Sequence, residues 1–365
     1  LCIHPFLGKG MSARRGTILL VLKMEADYGK CRSAVGRCSR MARLKLVKGI
    51  AMPKVANVLF PADYFEKAAP DGSMRIEYES ACAEKRFDVG LFDLELLEER
   101  GELALNRPFL NDALPLVYRG WMMKPERYEA FFAVLRERGF HPLTSPGTYE
   151  EFHMFPLAYM RNDVLKAHAS RLVAFPGHKV DAGIINRAFT EFMVKDYVKS
   201  VKGTRFPVSF RTPVSQERMD EIVKEFARLR GDLFTAGIVC KEYVDLARCG
   251  GTTNEWRAFY LNENLLSVCR NSNQPDNVVR PPDELVLACS NLGSPYYTVD
   301  FEECADGNWI VVETGDGQVS GLAAAQDPVI YYQVLADALE RRAADGDCIC
   351  PGVAEICMLG LRVWQ

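Results

Sequence analysis

Long apolar runs, histidines and paired cysteines are scarce in this 365-residue sequence. Its longest apolar runs, such as residues 17–22, fall far short of the roughly 20 residues that a membrane span requires. The five histidines all lie before residue 179, and none of the twelve cysteines belongs to a Cys-x-x-Cys pair. We therefore expect no membrane-spanning helix and no zinc finger, and we expect mostly reduced, structural thiols in a cytoplasmic protein.

Apolar and charged residues are present in ordinary globular proportions. Hydrophobic residues make up 48% of the chain and charged residues 25%. This balance excludes a wholly disordered chain and is sufficient for one large or two modest cores.

Charge is divided unevenly along the chain. Residues 1–50 carry eleven Lys and Arg against two acidic residues, a net charge of +9, while the net charge of the whole chain is −3 and that of the remainder is −12. This difference in net charge predicts that residues 1–51 are a basic leader, disordered or not native to the protein, and that the functional protein begins near Met52. A nucleic-acid-binding arm would have aromatic residues among its basic ones, and this segment has few, so we do not expect a nucleic-acid partner. A targeting presequence is the other alternative, although its apolar core is short.

Residues 52–178 are predicted to form an open α/β domain, because short apolar runs alternate with helical patterns. Three runs have the character of buried strands, and one segment with a helical apolar face begins at a proline and ends at a glycine. The predicted strands are residues 55–60, 87–92 and 115–119, and the predicted helix is residues 124–139.

Ligands of open α/β sheets gather at the carboxyl ends of the strands. Arg119 and Trp121 lie at the end of the third predicted strand and are therefore candidate ligand-binding residues. A turn with an exposed Arg119 and a packed Trp121 is the alternative.

Residues 179–345 are predicted to form a second, α+β domain, followed by a cysteine-containing tail at 346–365. Ser215 has the character of a helix N-cap, and Gly231 closes the same helix. The other predicted elements are strands at 191–200 and 235–244, a hairpin at 255–270, strands at 296–301 and 309–313, and a final helix opening at Asp327.

Two lysines are expected on one face of the strand at 191–200. Side chains alternate along a strand, so Lys195, Tyr197 and Lys199 share a face. Two ammonium groups repel each other unless an anion lies between them, which favours a polyphosphate ligand. A solvated edge strand is the alternative.

Two arginines are predicted to face each other in the hairpin. If Glu263 and Asn264 form a two-residue turn, Arg257 falls opposite Arg270. Like charges in such a pair are destabilising, so either this register is wrong or both guanidinium groups bind one phosphate or carboxylate.

Three acidic residues follow on the last two predicted strands. Asp300 and Glu313 lie at the same end of adjacent strands, and Asp316 lies in a glycine-rich bend just beyond. Carboxylates beside a phosphate site are suited to Mg²⁺, and the lack of histidine after residue 178 disfavours a softer metal.

The order of these features resembles the ATP-grasp superfamily, and especially its clade with two arginines and a lysine. The resemblance covers residues 54–340 and implies a pre-ATP-grasp open α/β domain followed by an ATP-grasp fold. It rests on the segments KDYVKS (195–200), VCKEYVDL (239–246), EWRAFY (255–260), TVDFE (298–302) and WIVVETGDGQVSGL (309–322).

The resemblance implies an ATP site. Lys195 and Lys199 are similar to the lysines that grip phosphates, and the order in which they do so stays open. Asp245 or Glu242 is expected near the ribose or the adenine amine. The segment similar to the hinge whose backbone meets adenine is Lys241, Glu242, Tyr243 and Val244.

The resemblance also implies catalytic and metal-binding residues. Arg257 is similar to the arginine that steadies the transferred phosphoryl group, and Arg270 to a second arginine of related amino-acid ligases; with Lys199 they are the expected catalytic residues. Asp300 and Glu313 are similar to paired magnesium ligands. Many relatives have Asn two residues after that glutamate, whereas this chain has Gly315, so Asp316 is expected as the third ligand.

The implied activity is that of an ATP-dependent carboxylate-amine ligase acting on an amino acid, peptide or protein terminus. ATP and Mg²⁺ are the expected cofactors, with a carboxylate donor and an amine acceptor as further partners. The resemblance also implies that the first domain helps to build the acceptor pocket, which Arg119, Trp121 and residues 141–153 are expected to line. An ATP-grasp phosphotransferase acting on a small molecule and a non-catalytic nucleotide-binding module are the alternatives.

Overall fold

A computed structural model describes residues 52–201 and 203–344. The expected basic leader at 1–51 and the expected tail at 346–365 lie outside the described residues. None of the described helices is both long and apolar enough to cross a membrane. The six cysteines in the described part of the chain are all unpaired thiols.

A four-stranded parallel sheet forms the first part of the fold. The strands are β1 (Ala56–Pro61), β2 (Phe87–Phe92), β3 (Pro115–Tyr118) and β4 (His141–Pro142), and the helices are α1 (Arg75–Ala83), α2 (Leu94–Arg100) and α3 (Pro125–Glu137). The strand order is β2-β1-β3-β4. Strands β1 and β2 are buried along their whole length, which explains their continuous apolar runs. The predicted strands and helix of this part are confirmed.

Three short helices follow this sheet. Ser145 and Asn162 cap the first and the third of them by accepting backbone hydrogen bonds. They are α4 (Pro146–His153), α5 (Phe155–Arg161) and α6 (Asp163–His168).

The next sheet is antiparallel. Its elements are β5 (Leu172–Pro176), α7 (Ala182–Ala188), β6 (Glu191–Asp196), β7 (Phe210–Arg211), α8 (Gln216–Arg230) and β8 (Gly237–Glu242). The strand order is β5-β8-β6-β7. The long helix α8 has Ser215 as N-cap and ends at Gly231, as predicted, and it buries the apolar face that contains Met219, Ile222 and Phe226.

A third sheet is also antiparallel. The elements of this part are β9 (Arg248–Cys249), β10 (Thr252–Thr253), β11 (Glu255–Leu261), β12 (Asn264–Arg270), α9 (Asp283–Ala288), β13 (Tyr296–Glu303), β14 (Trp309–Asp316) and α10 (Pro328–Ala344). The strand order of the sheet is β12-β11-β13-β14. The two-stranded ribbon of β9 and β10 precedes it, and the long helix α10 packs on one of its faces.

The first sheet and the later part of the chain share one core. Tyr331, Tyr332 and Leu335 of α10 are packed in the same buried cluster as Val58 and Phe60 of β1. In addition, β5 pairs with β8, although β5 precedes the expected boundary between the two domains, which lies between residues 178 and 179. Sheet pairing therefore assigns β5 to the later half, and α10 joins both halves.

The strand expected at 191–200 is shorter than predicted. It ends at Asp196, whose Oδ1 accepts hydrogen bonds from the backbone N–H groups of Val198 (2.8 Å) and Lys199 (2.6 Å). An aspartate side chain that bonds the backbone two and three residues ahead favours a turn over a strand. Lys195 and Lys199 therefore lie on opposite sides of a turn.

The hairpin register was predicted wrongly. The turn is formed by Asn262 and Glu263, because Leu261 pairs with Asn264, and Asn262 has a φ of 52°. A bulge between residues 259 and 260 then shifts the pairing again. The sequence pattern contained no signal for this bulge.

Candidate functional site

Two cavities lie against the two antiparallel sheets. The larger, about 640 Å³, is lined by residues 241–245 and by Lys195. The smaller is about 200 Å³. Four charged residues line both cavities and thus form a partition between them: Lys199, Arg257, Asp300 and Glu313.

Glu313 binds both predicted phosphate lysines. Its Oε2 lies 2.9 Å from Lys195 Nζ and its Oε1 3.0 Å from Lys199 Nζ. Burial alone would raise the pKa of Glu313, but the two ammonium groups outweigh burial and lower it. The two lysines thus converge on a carboxylate of the protein.

Asp300 and Arg257 form the other half of the partition. Arg257 donates from Nε to Asp300 Oδ1 (2.8 Å) and from Nη2 to Oδ2 (2.6 Å), a bidentate pair. Its Nη1 donates to Gly321 O (3.0 Å). Although burial opposes the charge of Arg257, the Asp300 carboxylate raises its pKa. Asp300 pairs directly with Glu313 across β13 and β14, so two cations and two carboxylates lie side by side.

The hinge expected at residues 241–244 borders the larger cavity, and so does Asp245. Lys241 is buried and donates from Nζ to Val312 O (2.6 Å). Burial, aided by repulsion from Lys195, lowers the pKa of Lys241 to about 7. Glu242 is held by Arg171, with Nη2 and Oε1 2.6 Å apart. Tyr243, Val244 and Asp245 follow β8 and line the same wall.

Asp316 does not join the other two carboxylates, so its expected role as third metal ligand is wrong. Among residues 52–201 and 203–344, no group of three or more His, Cys, Asp or Glu side chains is arranged to hold a metal ion. The reason is strand alternation, which directs residue 316 to the opposite face from Glu313. Asp316 Oδ1 instead accepts hydrogen bonds from the backbone N–H (3.0 Å) and Nε2 (3.1 Å) of Gln318.

Gly315 occupies a position where no side chain fits. A Cβ there would lie 2.6 Å from Ser320 Oγ and 2.8 Å from Thr298 Oγ1. These two hydroxyls are hydrogen-bonded to each other at 2.9 Å. The close approach accounts for glycine at the position where the resemblance would lead one to expect Asn.

Arg270 does not converge with Arg257. Arg257 pairs with Cys269, and Arg270 pairs with Trp256, so the two arginines point to opposite faces of the hairpin. Arg270 donates from Nη1 to Gln274 O (2.7 Å) and forms an ion pair with Asp276. The expectation of a shared anion between the two arginines is therefore wrong.

Residues 181–335 match the family model described as an ATP-grasp domain of the clade with two arginines and a lysine, family 3. This segment is an ATP-grasp domain. The expected fold class, an α/β part followed by an ATP-grasp fold, is thus confirmed.

Solved structures are similar to this chain at low sequence identity. A RimK domain protein ATP-grasp from Sphaerobacter thermophilus DSM 20745 is 16% identical, with 78% of this chain and 100% of that chain covered and a TM-score of 0.50. The ATP-grasp ligase PsnB, in complex with a minimal precursor, is 13% identical (80% and 100% covered, TM-score 0.49). A D-alanyl-alanine synthetase A from Vibrio cholerae O1 biovar eltor str. N16961 is 10% identical (80% and 100% covered, TM-score 0.48). No curated protein matches the chain.

The ATP-grasp domain also contains a buried acid that the sequence reasoning did not single out. Glu302 lines the larger cavity and lies opposite Glu255 on β11. Burial and repulsion from Glu255 raise its pKa to about 7. The signal was present in the segment TVDFE, because strand alternation puts residues 298, 300 and 302 on one face.

The structure places only some of the residues expected to line a substrate pocket in a cavity. His153 and Met122 line the smaller cavity, and of these two only His153 was among the expected residues. Arg119 is 2% exposed and forms an ion pair with Glu77 at 2.6 Å, so it is a buried residue and not an exposed one. Trp121 is half-exposed outside both cavities.

Asp300 and Glu313 fit a magnesium ion. Both are oxygen donors, they are directly opposite each other on adjacent strands, and both border the two cavities. Mg²⁺ usually takes one or two carboxylates and completes its coordination with substrate phosphates and water. Two carboxylates would therefore be sufficient to hold Mg²⁺ at this position.

Proposed function

We propose that this protein is an ATP-dependent carboxylate-amine ligase that forms an amide through an acyl phosphate. The observation that carries the proposal is the charged partition of Lys199, Arg257, Asp300 and Glu313 between two cavities. One cavity has the size and lining for a nucleotide, and the other adjoins the point where its terminal phosphate would lie.

The larger cavity is proposed as the ATP site. Its volume of about 640 Å³ is within the usual range for small-ligand sites. Residues 241–245 would contact the base and ribose at one end, and Lys195 and Lys199 would bind the phosphates at the other. A phosphate that binds these lysines takes the place of Glu313, whose carboxylate then becomes available for a cation.

Asp300 and Glu313 are proposed to hold Mg²⁺, which when bound neutralises negative charge on the phosphates. Arg257 is positioned to stabilise the phosphoryl group as it is transferred, because its guanidinium faces both cavities. Lys199 shares that position and stabilises the same charge.

The reaction needs no nucleophilic side chain. The donor carboxylate attacks the terminal phosphorus of ATP, the bond from that phosphorus to the bridging oxygen breaks, and ADP leaves. The amine nitrogen then attacks the acyl carbon and forms the C–N bond. The bond between that carbon and the phosphate oxygen breaks, phosphate leaves with the electron pair, and the nitrogen loses a proton. The protein contributes position and electrostatic stabilisation.

The products of the purified full chain test this proposal. With ATP, Mg²⁺ and pools of carboxylates and amines, ADP and phosphate should appear only when both pools are present, together with an amide detected by mass. Conversion of ATP to AMP would contradict the proposal. A product that retains the phosphate, with no amide, would indicate a phosphotransferase, and nucleotide binding without turnover would indicate a binding module.

Lys199→Ala should reduce ADP release at least about 100-fold, the usual effect of losing one preorganised charge contact. Lys166→Ala is a matched control. Lys166 also binds one carboxylate and has a side-chain exposure of 44%, against 43% for Lys199, but it lies in α6, outside both cavities. Full activity in Lys199→Ala would contradict the assignment of the partition.

A further inference from the structure

Four large apolar side chains are exposed beyond the carboxyl ends of β1 and β3. In the loop after β1, Tyr64 is 62% and Phe65 91% exposed, and in the loop after β3, Trp121 is 47% and Met122 50% exposed. We call these four side chains the apolar rim. Groups of exposed apolar residues in soluble proteins mark binding surfaces, and the carboxyl edge of a parallel sheet is where ligands bind.

The backbone of the second loop is held firmly. The hydroxyl of Tyr118 donates to Trp121 O (2.9 Å). The hydroxyl of Tyr149 accepts from the backbone N–H of Met123 (2.9 Å) and donates to its carbonyl (2.7 Å). The side chains of Trp121 and Met122 thus project from a fixed backbone, which reduces the entropy lost when a partner binds.

The first loop is ordered in the same way. Asp63 Oδ1 accepts hydrogen bonds from the backbone N–H groups of Phe65 (2.9 Å) and Glu66 (3.0 Å). At the end of this loop, Asp71 Oδ2 accepts from Trp121 Nε1 (3.3 Å), which joins the two loops. The apolar rim is therefore built on two loops that are bonded to each other.

The apolar rim is continuous with the smaller cavity, because Met122 belongs to both. That cavity is about 200 Å³, room for roughly seven water molecules at about 30 Å³ each. It can hold the end of a substrate but not a long one, so the rest of a larger substrate must lie outside it.

The lining of the smaller cavity indicates what kind of substrate end it holds. Thr298, Thr314 and Ser320 contribute hydroxyl groups, and Val198 and Val319 contribute apolar surface. The hydroxyls of Thr298 and Ser320 are hydrogen-bonded to each other (2.9 Å), whereas Thr314 Oγ1 has no hydrogen-bond partner in the described part of the chain. An amide group can form a hydrogen bond with Thr314 Oγ1, which a fatty acyl chain would leave unpaired, at a cost in binding free energy.

We propose that the carboxylate donor is the C-terminal end of a polypeptide, whose last residue enters the smaller cavity and whose preceding apolar side chains pack on the apolar rim. This inference rests on the proposed ligase function and narrows its donor substrate. Rigid aromatic side chains at such a surface commonly contribute most of the binding free energy.

Trapping of the acyl phosphate with hydroxylamine tests the inference without knowledge of the natural amine. Hydroxylamine displaces phosphate from the acyl carbon and gives a hydroxamate that mass spectrometry detects. The probes are an acetylated tetrapeptide pool with Phe and Leu before a mixed C-terminal residue, the same pool with two glycines there, free amino acids, and dodecanoic acid. We expect the Phe-Leu pool to react at least about tenfold faster than each other probe.

Two variants connect this selectivity to the apolar rim. Phe65→Ser and Trp121→Ala should each reduce the preference for the Phe-Leu pool about tenfold and leave ADP binding unchanged. Leu110→Ala is the control, because Leu110 is 75% exposed but its backbone N–H bonds Asp88 at the amino end of β2, the opposite edge of the sheet. Thermal unfolding should show that all three variants are folded.

Several outcomes would overturn the inference. Equal rates for the glycine pool or the free amino acids, faster reaction of dodecanoic acid, or unchanged selectivity in both variants would each do so. ADP binding without hydroxamate from the Phe-Leu pool would also contradict it. If sedimentation gave a lower molecular mass for Trp121→Ala than for the unchanged chain, with substrate selectivity unchanged, the surface would be assigned to a second copy of the chain. Failure to bind ADP at all would instead contradict the proposed ATP site.

Discussion

Glu313 holds two ammonium groups within 3.0 Å, and this arrangement determines the charge of the site. A phosphate that replaces Glu313 at Lys195 and Lys199 would free the Glu313 carboxylate for a cation. A phosphate that replaces Asp300 at Arg257 would free the Asp300 carboxylate in the same way. Phosphate and metal binding at this partition are therefore expected to support each other.

Asp316 provides a residue-scale prediction of pH dependence. It is fully buried, its Oδ2 has no hydrogen-bond partner, and burial raises its pKa to about 7 from 3.8. Between these two pKa values the folded protein binds more protons than the unfolded chain, so this carboxyl makes stability fall as pH rises through that window. Asp316→Asn should remove the fall and increase the free energy of unfolding at pH 8 by up to about 4 kcal/mol, with little change at pH 4. Urea unfolding at both pH values measures the difference.

The control for this prediction is Asp88→Asn. Asp88 is also buried, but both its oxygens have partners, since Oδ1 binds Arg107 Nη2 (2.5 Å) and Oδ2 accepts from the backbone N–H of Leu110 (2.6 Å). This variant should therefore lose stability at pH 8. If Asp316→Asn also lost stability at pH 8, the unpartnered oxygen would not be the reason for the effect.

At the scale of elements, the end of β14 is set by a close approach between backbone and side chains. Gly315→Ala would place a Cβ within 2.6 Å of Ser320 Oγ and 2.8 Å of Thr298 Oγ1, both held by their mutual hydrogen bond. The overlap should reduce the free energy of unfolding by about 1–3 kcal/mol, the usual cost of overpacking. Chemical denaturation monitored by circular dichroism measures it.

Gly321→Ala is the matched control in the same loop, because nothing lies within 4 Å of a Cβ at residue 321. Gly321 would still accept the hydrogen bond from Arg257 through its backbone carbonyl. Equal losses of stability in the two variants would show that the contact with Ser320 and Thr298 is not responsible.

At the scale of the whole molecule, Arg119 connects the first sheet to the loop that follows β14. Its guanidinium binds Glu77 of α1 and donates to the backbone carbonyls of Gly317 and Ser320, the latter at 2.9 Å. Ser320 lines the smaller cavity, so a residue of the first sheet positions a wall of the proposed donor site.

Arg119→Met should reduce the free energy of unfolding by about 3–5 kcal/mol, because it leaves the largely buried Glu77 without its cation. Arg127→Met, which removes an ion pair whose arginine side chain is 61% exposed, should change the free energy of unfolding by less than about 1 kcal/mol.

Far-ultraviolet circular dichroism and tryptophan fluorescence should report one common transition, because the two halves share a core. A loss below about 1 kcal/mol in Arg119→Met, or two separate transitions, would contradict this picture.

Local patterns in the sequence predicted much of the fold. The runs at 55–60 and 87–92 and the capped helix after Ser215 are close to β1, β2 and α8 in the structure. They could be predicted because burial on both faces, helical periodicity and capping are determined by neighbouring residues. The pairing of Asp300 with Glu313 was predicted for the same reason, since a short turn joins their strands.

The errors have a common physical origin. The one-residue shift in the hairpin, the bulge after residue 259 and the turn at Asp196 each moved a side chain to another face, and a strand's period of two makes any such shift decisive. Arg270 was misassigned in this way. Asp316 was misassigned because β14 continues without a bend to residue 316, which places its side chain on the face opposite Glu313. The burial of Arg119 was missed because its partners, Glu77 and the backbone of residues 317 and 320, are far away in the sequence.

From the sequence alone it was possible to predict the types of secondary-structure element, to single out the candidate lysines and the acids of β13 and β14, and to identify the resemblance to the ATP-grasp superfamily. All of these depend on residues that are close together in the chain. Only the tertiary structure decided which charges meet at the partition, which acid remains apart and how the apolar rim continues into a cavity. The scarcity of histidine and of paired cysteines had argued against a zinc finger, and the proposed metal site uses one pair of carboxylates instead. The meeting of these charges depends on strand register and on contacts between distant segments, which no local pattern contains.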